Sequence, residues 1–170
     1  DATTMKQVIS LCLKYNVNIG AHPSFPDKEN FGRTAMHLPP GEIYQMVIAQ
    51  LMDITKITLE CGTKLHHVKP HGALYNIAAK DIETAKVIAG AVKDFDASLI
   101  YYGLSGSVMI DEAEKLGLHT VDEVFADRTY QGDGSLTPRT QPNALLSNKD
   151  DVIKQVLKFV KENKVISVTG

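Results

Sequence analysis

The feature that most constrains this chain is a regular alternation of helix-period and strand-type segments, with no hairpin signal between any two strands. Asp1-Ala2-Thr3-Thr4 supplies cap-type residues, and Met5, Val8, Ile9 and Cys12 then recur at helical spacing. Val17 to Ala21 reads as a short strand. Pro39-Pro40-Gly41 introduces a second helix on Ile43, Met46, Val47, Leu51, Ile54, Ile57 and Cys61, and Gly62 is its natural stop. Leu65 to Lys69 is the next strand, and Ile82, Ala85, Ile88, Ala89, Val92 and Phe95 mark a third helix. A strand from Ser98 to Tyr102, a helix from Ser107 to Leu116 closed by Gly117, and a strand from Leu118 to Phe125 follow. A long loop then leads to Ser147, which with Asp150 forms an acidic capping box for a helix ending near Glu162. Val165 to Thr169 reads as a final strand.

Alternation of this kind requires parallel strands joined by crossover helices. Two closures satisfy it, an open doubly wound sheet or a barrel. The chain opens directly on a helix at Asp1 and closes on a strand at Gly170, which a barrel lacking its terminal units explains slightly better. The expectation is one domain over residues 1–170, an ordered fragment of a longer protein. Its 170 residues suffice to bury roughly 70% of the unfolded surface, so no staple is needed. Lys and Arg number 18 against 20 Asp and Glu, which removes the electrostatic case for nucleic acid or an anionic membrane as main partner. No run approaches the ~18 apolar residues that span a bilayer. Cys12 and Cys61 sit in apolar helical patterns and read as buried thiols of a reducing compartment, hence a soluble, cytoplasmic protein.

In either closure the functional loops lie beyond the carboxyl ends of the strands. His22 follows the first strand, and Lys69, Pro70 and His71 end the second, with Gly72, Tyr75 and Asn76 just beyond. Gly103, Ser105, Gly106 and Ser107 follow the third. Asp127 and Arg128 follow the fourth, with Asp133 and Arg139 in the loop after it. Four consecutive strands thus deliver polar groups to one end.

Each cluster also has a plainer explanation. His22 before Pro23 can simply hydrogen-bond a turn. His67, Lys69 and His71 share a strand parity, yet such a run covers roughly 13 Å, whereas metal ligands sit about 2.1 Å from a common ion. This run alone makes no metal site unless Pro70 bends it sharply. Lys69 in a buried strand must face a carboxylate or an anionic ligand, and pairing with Asp127 or Glu123 would satisfy it. The run 102–107 leads into a helix start that suits a carboxylate or phosphate, or is an ordinary capped turn. It does not match a Walker-type phosphate loop, and Gly132-Asp133-Gly134 fails the dinucleotide fingerprint because Thr137 holds the last glycine position. There is no nucleophile elbow and no cysteine placed as a nucleophile. Glu123 and Asp127 share a strand parity. Asp127 is a candidate general base, with Arg128 able to bind a carboxylate bidentately or to pair with Asp127 itself.

These residues carry a resemblance. Gly20-Ala21-His22-Pro23-Ser24, Phe31-Gly32-Arg33, Val68-Lys69-Pro70-His71-Gly72-Ala73-Leu74-Tyr75-Asn76, Gly106-Ser107, and Glu123-Val124-Phe125-Ala126-Asp127-Arg128 with Tyr130, Asp133-Gly134 and Arg139 are similar, in the same order, to the LamB/YcsF family. The resemblance implies a distorted seven-stranded β/α barrel of the glycoside hydrolase/deacetylase type. It also implies ATP-dependent opening of the 5-oxo-L-proline lactam to L-glutamate, with Mg accompanying ATP and two partner subunits resembling the halves of allophanate hydrolase. Family members carry an upstream strand rich in Asp, Asn and Glu, a Cys-Gly-His segment, and a downstream Val-His-Gly-Asp segment, none of which this chain contains.

Phosphorylation of the lactam oxygen would activate the ring for attack by water. On that scheme Asp127 orients the water, Lys69 and His71 stabilise charge on oxygen, and His22 is a second proton-transfer candidate. Arg33, Arg128 and Arg139 hold the substrate carboxylate or a phosphate, and Tyr75, Asn76, Gly106, Ser107, Glu123 and Asp133 complete the expected substrate-binding set. Two other readings stand beside it, a metal-dependent amide hydrolase of the deacetylase type and a non-catalytic substrate-binding subunit.

Overall fold

A computed structural model describes residues 1–169. Ten elements follow in the order α1 (Ala2–Lys14), β1 (Gly20–Ala21), α2 (Pro40–Glu60), β2 (His67–Val68), α3 (Gly72–Ala78), α4 (Ile82–Asp96), β3 (Ile100–Leu104), α5 (Val108–Lys115), β4 (Thr120–Glu123) and α6 (Lys149–Glu162). The four strands form one parallel sheet in the order β1-β2-β3-β4, with Gly20 opposite His67, His67 opposite Ile100 and Tyr101 opposite Thr120.

That order has no reversal, so the sheet has no switch point. Crossovers are right-handed, and strands added always in one direction put every crossover helix on the same face. The helices accordingly pack side by side, α1 on α2, α2 on α4 and α4 on α5, with α5 against β3 and β4. The four strands are thus singly wound, with helices on one face and not on both. Ala21, Val68 and Tyr101 point into the helix layer and are buried, while His67 and Tyr102 point to the other face and are half-buried. Val47, Leu51, Ile88, Val92 and Met109 fill the space between, each worth about 1.5–3 kcal/mol against exposure.

Local chemistry sets the boundaries. Asp1 caps α1 by accepting from Thr4 N at 2.9 Å, and Asp81 caps α4 by accepting from Thr84 N at 2.8 Å. Proline at Pro40 fixes the first turn of α2. The cap of α6 is Asn148, whose side chain accepts from Asp150 N and Asp151 N, and not Ser147 as the capping-box pattern suggested. The strand expected over 98–102 starts two residues later, because Ser98 turns back on Asp96 through its N–H and hydroxyl. β1, β2 and β4 are shorter than their apolar runs, although His66 N to Ile19 O and Lys69 N to Ala21 O extend the first pairing at both ends.

Two expectations give way. Residues 165–169 form no strand; Ser167 makes a single parallel bridge to Tyr130, with Val168 N donating to the Tyr130 carbonyl. Gly170 lies outside the described residues. Cys12 and Cys61 are half-buried free thiols, since α1 and the end of α2 lie at the margin of the helix layer.

Candidate active site

The carboxyl ends of β1, β2 and β4 open into a cavity of about 560 Å³. Its shape comes from three backbone devices. After β2, Pro70 breaks the strand and His71 becomes the N-cap of α3 in an extended conformation. The short helix α3 then turns Tyr75 and Asn76 onto the cavity wall. Gly72 has φ +60, and an added Cβ would run into the carbonyl oxygen of Gly32. The two loops can therefore close on each other only with glycine at this position. Ala73 N donates to Gly32 O at 2.9 Å and His71 N to Pro23 O at 2.9 Å, tying loop 23–33 to the end of β2.

At the floor, Lys69 Nζ donates to Glu123 Oε1 at 2.7 Å, with side chains 33% and 18% exposed. The pair expected for Lys69 is thus the one with Glu123. The second oxygen of Glu123 and the hydroxyl of Tyr75 are buried with no hydrogen-bond partner among the described residues. Burial first, and the Glu123 charge second, push the Tyr75 phenol far above its usual range. It stays a neutral donor beside a carboxylate whose second oxygen lacks one.

His22 and His71 meet beside this pair. His22 Nδ1 donates to the Lys69 carbonyl at 2.6 Å, His71 Nε2 to the Phe31 carbonyl at 2.9 Å, and the remaining nitrogens, His22 Nε2 and His71 Nδ1, lie 2.9 Å apart. Burial lowers the pKa of His22. His67 lies one strand layer below, over Gly20 and beside the Tyr102 ring, and burial lowers its pKa as well.

Arginines form the far wall. Arg128 is buried and donates from Nε to Ala144 O at 3.2 Å and from Nη2 to Thr137 O at 2.6 Å. It makes no salt bridge among the described residues, so the alternative Asp127–Arg128 pair is not formed; burial and then Arg139 lower its pKa. Arg33 and Arg139, both exposed, complete the lining. Four cationic side chains, Arg33, Lys69, Arg128 and Arg139, thus face the cavity against the single carboxylate of Glu123. The excess favours an anionic ligand.

His22, Arg33, Lys69, His71, Tyr75, Asn76, Glu123, Arg128 and Arg139 therefore meet around one space. Four expected residues do not. Asp127 is exposed in the turn after β4, and only its carbonyl is engaged, by Leu146 N. Its strand parity with Glu123 has no effect because β4 ends at Glu123. Ser107 is buried with its hydroxyl on the Leu104 carbonyl, and Gly106 takes φ +69 in the same turn, so this helix start is an ordinary turn. Asp133 accepts from Ser135 and pairs with Lys80 at 3.3 Å on the surface.

Gln155, which the sequence did not single out, is buried and donates to the carbonyls of Phe125, Ala126 and Arg128. It pins the turn that carries Arg128, and a glutamine among the polar residues of an amphipathic helix gives no signal of that. Among the described residues no three His, Cys, Asp or Glu side chains gather as a metal site. A second cavity of about 360 Å³ opens at the opposite strand ends, near Asn16, Lys64 and His66, and gathers no comparable set of charges.

Fold and site together define a singly wound parallel α/β protein with a cationic small-molecule cavity at its carboxyl edge. The LamB/YcsF family model matches residues 1–170, and the chain belongs to that family. The chain is 48% identical over 170 residues to the 5-oxoprolinase A subunit of Bordetella pertussis, covering 100% of this chain and 68% of the relative. It is 49% identical to that of Tolumonas auensis, with the same coverage. The crystal structure of a lactam utilization protein from Thermus thermophilus matches with a TM-score of 0.89 at 40% identity, covering 100% of this chain and 69% of that one.

Proposed function

We propose that this chain is the substrate-handling part of a 5-oxoprolinase, its A subunit, in an enzyme converting 5-oxoproline to glutamate. The observation that carries the reading is the convergence of His22, Lys69, His71, Tyr75, Glu123 and the arginines on one cavity, in a chain whose relatives carry that name over its full length. The singly wound sheet and the helix layer fit closure into a distorted seven-stranded barrel in the longer protein. The unpaired thiols fit a cytoplasmic setting.

A five-membered lactam is a poor electrophile, so coupling its hydrolysis to ATP, accompanied by Mg²⁺, is chemically sensible. The cationic lining fits a substrate carboxylate and a phosphate. ATP supplies the phosphoryl group that activates the lactam oxygen and leaves as ADP; one water then adds and the C–N bond breaks to give an acyl phosphate, which a second water hydrolyses to glutamate and phosphate. Arg139 and Arg33, exposed at the rim, hold the anionic groups, and Arg128 fixes the wall behind them. Lys69 offsets negative charge developing on oxygen. Glu123, with its unpartnered buried oxygen, orients the attacking water, the role the sequence suggested for Asp127. Two further subunits complete the enzyme.

The test is glutamate release from 5-oxo-L-proline by the protein, with and without the two partners and with and without ATP. Release only when both are supplied is the expected result. An assembled complex that releases none under any condition would overturn the assignment.

A further inference from the structure

We infer that His22 and His71 hold one proton between them and act as a single monocationic unit, the proton donor for the ring nitrogen freed when the lactam opens. The donor half of this inference rests on the function proposed above; the shared proton does not.

The argument is a count of hydrogens. A backbone carbonyl can only accept. The Lys69 carbonyl, 2.6 Å from His22 Nδ1, therefore fixes a proton on that nitrogen, and the Phe31 carbonyl, 2.9 Å from His71 Nε2, fixes one there. The two remaining nitrogens face each other at 2.9 Å. If both rings were neutral, each would present a lone pair to the other and the contact would be repulsive. If both were cations, two N–H groups would collide. One proton between them makes the contact a charge-assisted hydrogen bond of normal length. The rings then carry three protons on four nitrogens, and a net charge of one.

The surroundings oppose a full cation on His22, so it is the ring–ring contact at 2.9 Å that holds the shared proton. Burial lowers the His22 pKa most, and the charges of His71 and Lys69 act the same way, while the Lys69 carbonyl and Glu123 act upward. His67, one layer below, is also pulled down by burial, with His22 and Lys69 adding to it, so it offers no competing cation. Lys69 and Glu123 neutralise each other at 2.7 Å. The shared proton is thus the mobile one in the cavity.

His22 is the more exposed ring and lines the cavity. As the C–N bond breaks, its electron pair goes to nitrogen, which takes the shared proton and leaves both rings neutral. The attacking water gives its proton to Glu123, which releases it to solvent, and the dyad regains one from solvent. While the dyad is neutral the facing lone pairs repel and the ring–ring bond opens.

The experiment reads the ring nitrogens of the protein by ¹⁵N NMR after histidine labelling, then the pH dependence of glutamate release by the assembled enzyme. At pH 7 His22 Nδ1 and His71 Nε2 should be protonated, with one proton shared by the facing pair and lost in a single step as pH rises. Two neutral rings at pH 7 would overturn the shared proton, as would stoichiometric Zn²⁺ taking its place between the nitrogens. In turnover, kcat should fall on the alkaline side through that same step. His22→Gln and His71→Gln should each lower kcat roughly 10²-fold and abolish that limb. An alkaline limb unchanged in both folded variants would remove the donor role. A monocationic pair in an assembled enzyme that releases no glutamate would do so too, while leaving the proton in place.

Discussion

Replacing Gly72 by alanine should cost about 2–4 kcal/mol of stability. Gly72 opens α3 at φ +60, where a side chain costs about 1–2 kcal/mol by itself. The new Cβ would also be driven into the Gly32 carbonyl oxygen, with the Gly32 carbonyl carbon at 3.0 Å and Arg33 N at 3.5 Å behind it. All three are backbone atoms, so no rotamer relieves the overlap and loop 31–33 must retreat. That retreat strains the Ala73 N–H bond to Gly32 and the His71 ring bond to Phe31, each worth about 1 kcal/mol. The entropy that alanine removes from the unfolded chain returns only about 0.4–1 kcal/mol. Urea denaturation of the wild type and Gly72→Ala measures the difference. Gly90→Ala, in mid α4 with open space around the new Cβ, is the control and should gain about 0.5–1 kcal/mol. A Gly72→Ala loss below about 0.5 kcal/mol would refute the reasoning, because it would mean the two loops do not touch as described.

Three further outcomes can be checked. Gln155→Leu should destabilise by about 1–3 kcal/mol, since the Phe125, Ala126 and Arg128 carbonyls lose their buried donor; equal urea midpoints for variant and wild type would show that water replaces it freely. Glu123→Gln should lower glutamate release roughly 10²-fold with the circular dichroism spectrum retained, and undiminished turnover would take Glu123 out of the mechanism. In acid, Asp27, Asp81 and Asp133 are held below their ordinary range by side-chain donors, Asp133 to about 2 by Ser135. Their folded pKa values are depressed, so their contribution is full above the unfolded carboxylate range and is lost as pH falls through it toward 2. Asp133→Asn should flatten the acid limb of a stability–pH curve slightly, because the side chain is largely exposed; a limb as steep as the wild type's would mean Asp133 does not contribute.

The element order was readable because helix periods of apolar residues are long and survive local noise. Three places escaped it, each for a physical reason. α3 is seven residues long and starts at a glycine, too short for a period to register against Pro70 and His71. Ser98 has the composition of a strand start, yet its hydroxyl and N–H are taken by Asp96, a competition that short polar side chains commonly win. Residues 165–169 alternate like a strand, but alternation states only which side chains could share a face. The partner that would make the segment a strand is not encoded in it, and here a bridge to the sequence-distant Tyr130 is formed in place of a ladder.

The site was legible to the extent that strand parity holds, and parity holds only while the chain is extended. Within β2 it holds, with His67 on the face opposite buried Val68. It failed for His71, where Pro70 ends the strand and the imidazole swings toward His22 on the neighbouring loop. The roughly 13 Å span that argued against a common metal ion along one strand does not bear on this contact, because the partner comes from another. Parity failed again for Asp127, since β4 ends at Glu123 and the chain turns at Ala126 and Asp127. What stops it is the end of the ladder. Beyond Glu123, only Ser105 N donates back to that strand, through the Glu123 carbonyl, and the next backbone groups are claimed by Tyr130 Oη and Gln155. Side chains outside the Glu-Val-Phe-Ala-Asp-Arg run therefore decide which carboxylate reaches the cavity, and that choice was invisible in the run itself.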